Sequence, residues 1–276
     1  MKIIVAATDF SKNGNNAVEY SAALAREFGA KLFLVHVYVT IPKKESDPSE
    51  TEEELKLEIR QKLILLSDRL NAEHKIVIEA HLLSGESVDG SINKFADKIQ
   101  SELIVIGTSG TNLLERLVMG STTSKLIHSG HCADICIPQN SRFKSIKRIA
   151  FATDLKEDNI NAANSLVTFA KHFDAEICFL FVDDKDLVHD EKMIDDVTSR
   201  IRNRIRYNKI SGYLTKHTDI KKGIHNLLKQ LEVQALAMYT HSESYKGRFS
   251  QSITSIMAAD TTIPLIVVKK GTLSII

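Results

Sequence analysis

The segment Leu103-Ile-Val-Ile-Gly107-Thr-Ser-Gly110, followed after nine further residues by Gly120-Ser121, decides the fold class of this chain. Its first four residues form an apolar run that is typical of a strand buried in a parallel sheet. The run ends directly on Gly107, and the stretch that begins at Ser121 reads as the opening of a helix. Two glycine clusters therefore enclose a loop between the carboxyl end of a strand and the amino end of a helix.

This loop predicts an anion-binding site. The amino end of a helix offers unpaired N–H groups and about half a positive charge. Glycine lets the backbone approach a phosphate because it has no Cβ, and Ser121 and Thr122 add hydroxyl donors. Ordinary turns also use glycine, but the strand, the spacing and the helix start together favour the binding interpretation.

The charge balance and the cysteine content exclude several classes of protein. Lys and Arg number 36 against 35 Asp and Glu, so no bulk field favours nucleic acid or an acidic membrane surface. The apolar run at the amino terminus is too short for a signal peptide, and no run reaches the roughly 18 apolar residues of a membrane span. Three cysteines do not make a disulfide framework. We therefore expect a cytoplasmic protein with reduced thiols.

The chain contains two copies of one pattern. Lys2–Phe10 reads KIIVAATDF and Lys147–Leu155 reads KRIAFATDL, and a helical pattern and a second apolar strand follow each of them. A repeat of this length indicates two domains of one type. A short polar linker around Ser141 separates the copies, which predicts domains at 1–141 and 142–276, each of ordinary size.

Within the first copy, strands alternate with helices. The pattern predicts strands at 3–8, 31–38, 75–83, 102–107 and 134–138, and helices at 13–28, 50–72, 88–100 and 120–130. This alternation is typical of an α/β fold with a parallel sheet covered on both faces. Ligands of such sheets bind outside the carboxyl strand ends, where the strand order reverses. Asp9, Val37 and Gly107 fall at such ends, so we expect them to lie close together.

At these residues the chain resembles the universal stress protein family. The family's nucleotide pattern, Gly-x2-Gly-x9-Gly-[Ser/Thr], is present as Gly107-x2-Gly110-x9-Gly120-Ser121. The strand endings Thr8-Asp9 and Leu34-Val35-His36-Val37 agree with it as well, and the resemblance extends over both copies. It implies two tandem Rossmann-like domains, each a five-stranded parallel sheet of order 3-2-1-4-5 with two helices on each face.

The resemblance also implies a ligand and the residues that hold it. Members with this glycine pattern bind ATP, and Mg²⁺ shared by the phosphate oxygens is a further candidate ligand. Asp9 would contact the adenosine end, and Ala7 with Val37 would line the adenine pocket. The other implied site residues are Thr8, Gly107, Thr108, Ser109, Gly110, Gly120, Ser121 and Thr122. Because family domains pair through their last strands, the two halves would pair with each other, and a homodimer of such chains is a further candidate assembly.

The chain departs from the family pattern in two ways. Asp134 stands where many members have a proline before the last strand, and we expect it to affect only the entry into that strand. In the second copy, Tyr239, Ser242 and Ser250 stand where the first copy has its three glycines. A tyrosine ring at the first of these positions would occupy the space in which a phosphate approaches the backbone. We therefore predict one ATP per chain, in the first copy.

A metal site is suggested by four residues near the end of the first copy: His128, His131, Cys132 and Cys136. Their spacing matches no established zinc motif, and a core thiol is the ordinary role of a buried cysteine. We therefore expect no metal ligands among them.

Three other features have a structural and a functional interpretation. Asp9 fits both helix capping and ligand contact, and His36 fits both packing and ligand contact. The basic run Arg200–Arg206 carries Ile201 and Ile205 at helical spacing. This spacing favours a half-buried helix with a solvated basic face over a nucleic-acid site.

The sequence leaves three hypotheses about function. The first is a nucleotide-binding protein of stress response or regulation without efficient turnover, because no Gly-Lys-[Ser/Thr] places a lysine on the phosphates. The second is a slow ATPase, or an adenylyl-transferring ligase, although the Ala-Thr-Asp-Phe-Ser after the first strand disfavours the ligase class. The third is an interaction module in which nucleotide is incidental and the second copy supplies a partner surface.

Overall fold

The two copies of the sequence pattern occupy separate units of the chain, Met1–Phe143 and Lys144–Ile276, in the computed structural model. The structure describes residues 2–40, 50–108, 121–154, 157–184, 191–240, 251–270, 272 and 274–276. None of the helices within these ranges is both long enough and apolar enough to cross a membrane.

The first unit is a five-stranded parallel sheet with four helices. Its elements are β1 (Ile3–Ala7), α1 (Lys12–Phe28), β2 (Lys31–Val39), α2 (Glu50–His74), β3 (Ile78–Gly85), α3 (Val88–Lys98), β4 (Leu103–Gly107), α4 (Ser121–His128) and β5 (Ala133–Ile137). The strand order is β3-β2-β1-β4-β5, and each neighbouring pair is parallel. The predicted α/β fold is therefore confirmed.

The second unit repeats this arrangement. Its elements are β6 (Arg148–Ala152), α5 (Glu157–Phe173), β7 (Glu176–Asp183), α6 (Glu191–Ile205), β8 (Ile210–Lys216), α7 (Ile220–Leu231), β9 (Ala235–Tyr239), α8 (Gln251–Asp260) and β10 (Leu265–Val268). The order β10-β9-β6-β7-β8 gives each strand the same neighbours as its counterpart in the first unit, and these pairs are parallel too.

The direction of the crossovers distributes the helices over the two faces of the first sheet. The chain runs outward through β1, β2 and β3, and then returns to β4 and β5 on the other side of β1. Right-handed crossovers therefore place α1 and α2 on one face and α3 and α4 on the other. In agreement, α1 contacts α2, and α3 contacts α4. The strand β4, next to the central strand β1, is covered on both sides, since Leu103, Ile104 and Val105 are completely buried.

The start of one strand differs by several residues from the sequence prediction. Strand β3 begins at Ile78, three residues later than predicted, because α2 continues to His74 and Lys75 then takes a left-handed conformation with φ of 55°. Asp134 is the second residue of β5, close to the predicted start of that strand, and it is completely buried.

Helix α1 also holds the chain segment that follows β5. The Asn16 side chain is 5% exposed, and its Nδ2 donates to the carbonyl oxygens of Pro138 at 3.0 Å and Ser141 at 2.9 Å. One turn further along, the Tyr20 ring meets the Phe143 ring edge-on, with centroids 5.3 Å apart. Burial raises the pKa of Tyr20 well above its ordinary value.

We predict that Asn16→Ala lowers the free energy of unfolding by roughly 1–3 kcal/mol, because it removes both side-chain hydrogen bonds to the segment after β5, where the Pro138 carbonyl keeps the N–H of Ser141 as a donor. Urea unfolding measures the change. Lys12→Ala, an exposed position of the same helix, serves as the control and is expected to unfold like the wild type. Equal midpoints for Asn16→Ala and Lys12→Ala would contradict the assigned role of the amide.

Candidate functional site

The strand order of the first sheet reverses at β1. From β1 the chain first moves to β2, and it later returns to β4 on the opposite side of β1. In parallel α/β sheets, the crevice at such a reversal, outside the carboxyl strand ends, is the usual ligand site. Asp9 follows β1 and Thr108 follows β4, so the structure places these two predicted residues at the two sides of this crevice.

The turn between β1 and α1 exposes the Asp9 carboxylate. Oδ1 of Asp9 accepts a hydrogen bond from the Ser11 backbone N–H at 2.9 Å. The Ser11 hydroxyl in turn accepts from the Gly14 N–H at 2.9 Å, which makes Ser11 the N-cap of α1. The capping interpretation of Asp9 is therefore wrong, because the cap is two residues later. The carboxylate shapes the turn and remains exposed to solvent.

Gly14 is a site-forming residue that the sequence interpretation missed. A Cβ at this position would lie 2.4 Å from Oδ1 of Asp9 and 3.2 Å from the Thr8 hydroxyl. A side chain at residue 14 would therefore force the Asp9 carboxylate or the first turn of α1 to shift. The signal in the sequence was a glycine in the first turn of an otherwise regular helix, where its low helix propensity needs a reason.

Gly107 has a packing role in addition to the one inferred from the sequence. A Cβ on Gly107 would lie 2.7 Å from Nδ2 and 3.1 Å from the backbone O of Asn13, in the first turn of α1. Gly107 does not have a positive φ, so close packing and not backbone conformation requires glycine here. The absence of a side chain at Gly107 thus brings α1 against the end of β4.

Hydrogen bonds fix the chain where it leaves β4 and where α4 begins. The buried Thr108 donates its N–H to the Ile137 carbonyl at 3.1 Å, which extends the pairing with β5 by one residue. The Thr123 hydroxyl donates to the Gly107 carbonyl at 2.9 Å and so ties the first turn of α4 to the end of β4. Thr123 was not among the predicted residues, whereas its predicted neighbour Thr122 is half-buried in the same turn.

The other predicted residues lie at the ends of β1, β2 and α4 or outside the described residues. Ala7 and Thr8 lie at the end of β1, and Thr8 is buried with its N–H bonded to the Val35 carbonyl at 3.0 Å. Val37 lies in β2 beyond the end of β1 and is 9% exposed. The helix α4 begins at Ser121. The remaining positions lie outside the described residues: Ser109, Gly110 and Gly120.

The second unit reproduces the scaffold of this site with different side chains. Thr153 donates its N–H to the Leu180 carbonyl, and Thr240 donates to the Val268 carbonyl, as Thr8 and Thr108 do with their partners. Tyr239, paired with Val268, thus occupies the position of Gly107 and is 8% exposed. Ser242 and Ser250 lie outside the described residues.

His128, His131, Cys132 and Cys136 do not appear together in any cluster of metal-ligating side chains among the described residues. Within the described part of the chain, the one group of three metal-ligating side chains joins Glu19, Glu73 and His74. Arg69 already lies between the two carboxylates of that group, with Nη1 3.1 Å from Oε2 of Glu73 and with Nη2 bonded to Glu19. Cys132 is buried, and its thiol donates to the Ser101 carbonyl at 3.2 Å.

In the second unit, Cys178 is buried, and two arginines of the basic run donate hydrogen bonds to neighbouring groups. Burial raises the pKa of the Cys178 thiol to about 12, so this thiol is neutral at ordinary pH. Nη2 of Arg202 donates to the Ile210 carbonyl and Nη2 of Arg204 to Oδ1 of Asn161, each at 2.8 Å. Their helix α6 buries Ile201 and Ile205, as its spacing indicates.

Comparison with known proteins gives consistent results. The model of the universal stress protein family matches residues 1–138. A universal stress protein of Methanocaldococcus jannaschii is 31% identical over 136 residues, which are 48% of this chain and 78% of that protein. A universal stress protein of Thermus aquaticus is 29% identical over 136 residues, which are 48% of this chain and 94% of that protein.

Among solved structures, a universal stress protein from Archaeoglobus fulgidus DSM 4304 covers 98% of both chains with a TM-score of 0.79. The sequence identity is 15%, so this similarity shows a shared fold that extends over both units.

We predict that Gly107→Ala lowers the free energy of unfolding by roughly 1–3 kcal/mol, because the new Cβ overlaps Asn13 and pushes α1 away from β4. Urea unfolding of four proteins tests this: wild type, Gly107→Ala, Asn13→Ala and the double variant. Gly107→Ala should cost less in the Asn13→Ala background, where the nearest side-chain atoms are absent. The same cost in both backgrounds would refute the packing role.

Proposed function

Because the chain belongs to the universal stress protein family, we propose that its first unit binds an adenine nucleotide, with ATP preferred, and acts in stress response or regulation. The observation that carries this proposal is the crevice between the ends of β1 and β4. The exposed Asp9 carboxylate lies on one side of it, and on the other side the chain leaves β4 at Thr108 toward the remaining residues of the glycine pattern. Strand reversals of this kind are where α/β sheets hold their ligands.

Each part of the nucleotide has candidate partners in this arrangement. The Asp9 carboxylate can accept hydrogen bonds from the ribose hydroxyls. Ala7 and Val37 offer apolar surface to adenine. The phosphates would lie against Gly107 and be held by backbone N–H groups of Gly110 and Gly120–Thr122, at the amino end of α4, with Thr108 and Ser109 in the loop between and Mg²⁺ shared by the phosphate oxygens. The half-buried Thr122 in the first turn of α4 supports this orientation.

We place one nucleotide site in each chain, within the proposed domain 1–141. In the proposed domain 142–276, the side chain of Tyr239 is present and buried at the position of Gly107. Its bulk would keep a phosphate from the backbone there. The second domain would then contribute to assembly, by pairing with the first domain and by taking part in a homodimer.

Binding without efficient turnover agrees best with the residues in the sequence. No Gly-Lys-[Ser/Thr] places a lysine on the β- and γ-phosphates, and the proposed contacts are amides and hydroxyls. Such contacts hold a polyphosphate but supply neither a positioned base nor a cation that stabilises the transition state. ATP would act as a ligand that stabilises one conformation or assembly over another.

We predict that isothermal titration with ATP gives one site per chain. Gly110→Val and Gly120→Val should each weaken binding at least roughly tenfold, because a branched side chain blocks the approach of phosphate to the backbone. Gly247→Val, in the corresponding loop of the second copy, is the matched control and should bind like the wild type. Two equivalent sites, or unchanged affinity in both first-copy variants, would refute the proposed site.

We also predict a single-turnover rate constant for ATP hydrolysis below roughly 1 s⁻¹ at neutral pH with Mg²⁺, since ordinary enzymes exceed that rate. Rapid mixing of excess protein with labelled ATP measures the rate constant. The Gly110→Val variant, purified in parallel, reveals any contaminating ATPase. A faster rate that this variant abolishes would assign the chain to the enzymes.

A further inference from the structure

His36 contacts the residue on each side of Asp9. Its Nδ1 lies 2.8 Å from the carbonyl oxygen of Thr8, and its ring stacks on the Phe10 ring with centroids 4.9 Å apart and 29° between the planes. A carbonyl oxygen can only accept, so Nδ1 of His36 carries a hydrogen and donates it. One side chain of β2 thus holds two points of the β1–α1 turn.

The Phe10 backbone needs such support because its φ is 60°. A residue with a Cβ is unfavourable in this left-handed region. Two local hydrogen bonds stabilise it: the Phe10 N–H donates to the Thr8 hydroxyl at 2.9 Å, and Nδ2 of Asn15 donates to the Phe10 carbonyl at 3.3 Å. The stacking contact with His36 is different in kind, because it joins the turn to another strand.

These contacts determine where the Asp9 carboxylate points. The side chain of Asp9 is exposed, and among the described residues its carboxylate accepts one hydrogen bond, from the N–H of Ser11 in the same turn. The direction of the carboxylate therefore follows from the backbone of the turn as a whole. His36 fixes that backbone from outside, immediately before and immediately after Asp9.

The second unit offers a comparison within the same chain. The bond from the Thr153 N–H to the Leu180 carbonyl corresponds to the bond from Thr8 to Val35, so Phe181 occupies the position of His36. Phe181 is 5% exposed and fills space, but a phenyl ring cannot donate a hydrogen bond to a carbonyl. The donor ring is present in the unit that retains the glycine pattern and is replaced by phenylalanine in the unit that has lost it.

We propose that His36 is a positioning residue of the nucleotide site, which orients Asp9 toward the ligand by holding the Thr8 carbonyl and the Phe10 ring. This inference rests on the proposed function, since it assigns the role of a residue in the same site. It goes beyond that function by identifying a side chain that acts through Asp9 and makes no ligand contact of its own.

The first arm of the test measures ATP affinity by titration calorimetry. His36→Phe keeps the stacking and introduces the residue found in the second unit, and it should weaken binding roughly tenfold through loss of one hydrogen bond. His36→Leu removes the stacking as well and should weaken binding further. Phe181→Leu is the matched control in the second unit and should leave the affinity unchanged. Wild-type affinity in both His36 variants would overturn the proposal.

A double-mutant cycle with Asp9→Ala separates positioning from direct contact and from general destabilisation. If His36 acts through Asp9, His36→Leu should have little further effect on ATP affinity once the carboxylate is absent. An equal loss of affinity in both backgrounds would overturn the positioning role. Urea midpoints of all the variants identify any loss of affinity that follows from unfolding, and His36→Phe, which keeps the ring, replaces His36→Leu if the latter fails to fold.

A measurement without nucleotide keeps this proposal distinct from the proposed function. Hydrogen exchange at the amides of Phe10 and Ser11 reports the bonds from these groups to the Thr8 hydroxyl and the Asp9 carboxylate. Exchange at both amides should be faster in His36→Leu than in the wild type. If the wild type binds no ATP, the proposed function fails, but the exchange rates still test whether His36 holds the β1–α1 turn. Unchanged exchange at both amides in His36→Leu would overturn that role.

Discussion

The close approach of helix α1 to the carboxyl ends of β1 and β4 is the constraint on which the first unit depends. Gly14 lies against the Asp9 carboxylate, and Gly107 lies against Asn13, at distances that leave no room for a Cβ in either place. Both contacts occur in the first turn of the helix. Steric fit therefore determines the position of the β1–α1 turn relative to the end of β4.

The second unit shows which parts of this arrangement belong to the fold and which belong to the site. The strand order and the hydrogen bonds that close β6 and β9 repeat those of the first unit. The side chains at the strand ends do not repeat, since Tyr239 replaces Gly107 and Phe181 replaces His36. A parallel sheet tolerates such changes because its pairing is between backbone groups, whereas ligand binding depends on the side chains at its edge.

The sequence predicted the elements that carry strong periodicity and failed where the signal is local geometry. The apolar run of β4 and the helical spacing of α6 lie where the pattern placed them. The predicted start of β3 was wrong, because α2 continues to His74 and the left-handed Lys75 follows it. Gly14 and Thr123 were missed, because their contacts with Asp9 and with the Gly107 carbonyl form only when the chain has folded.

By itself, the sequence determined the fold class, the tandem repeat, the family and the list of candidate ligand residues, because apolar periodicity and glycine spacing are properties of the chain read in order. The tertiary structure alone decided that Gly107 packs against Asn13 and that His36 contacts Thr8 and Phe10 on either side of Asp9. These are contacts between β2, β4 and the start of α1. Their existence depends on how closely neighbouring elements pack, and no pattern along one element records that distance.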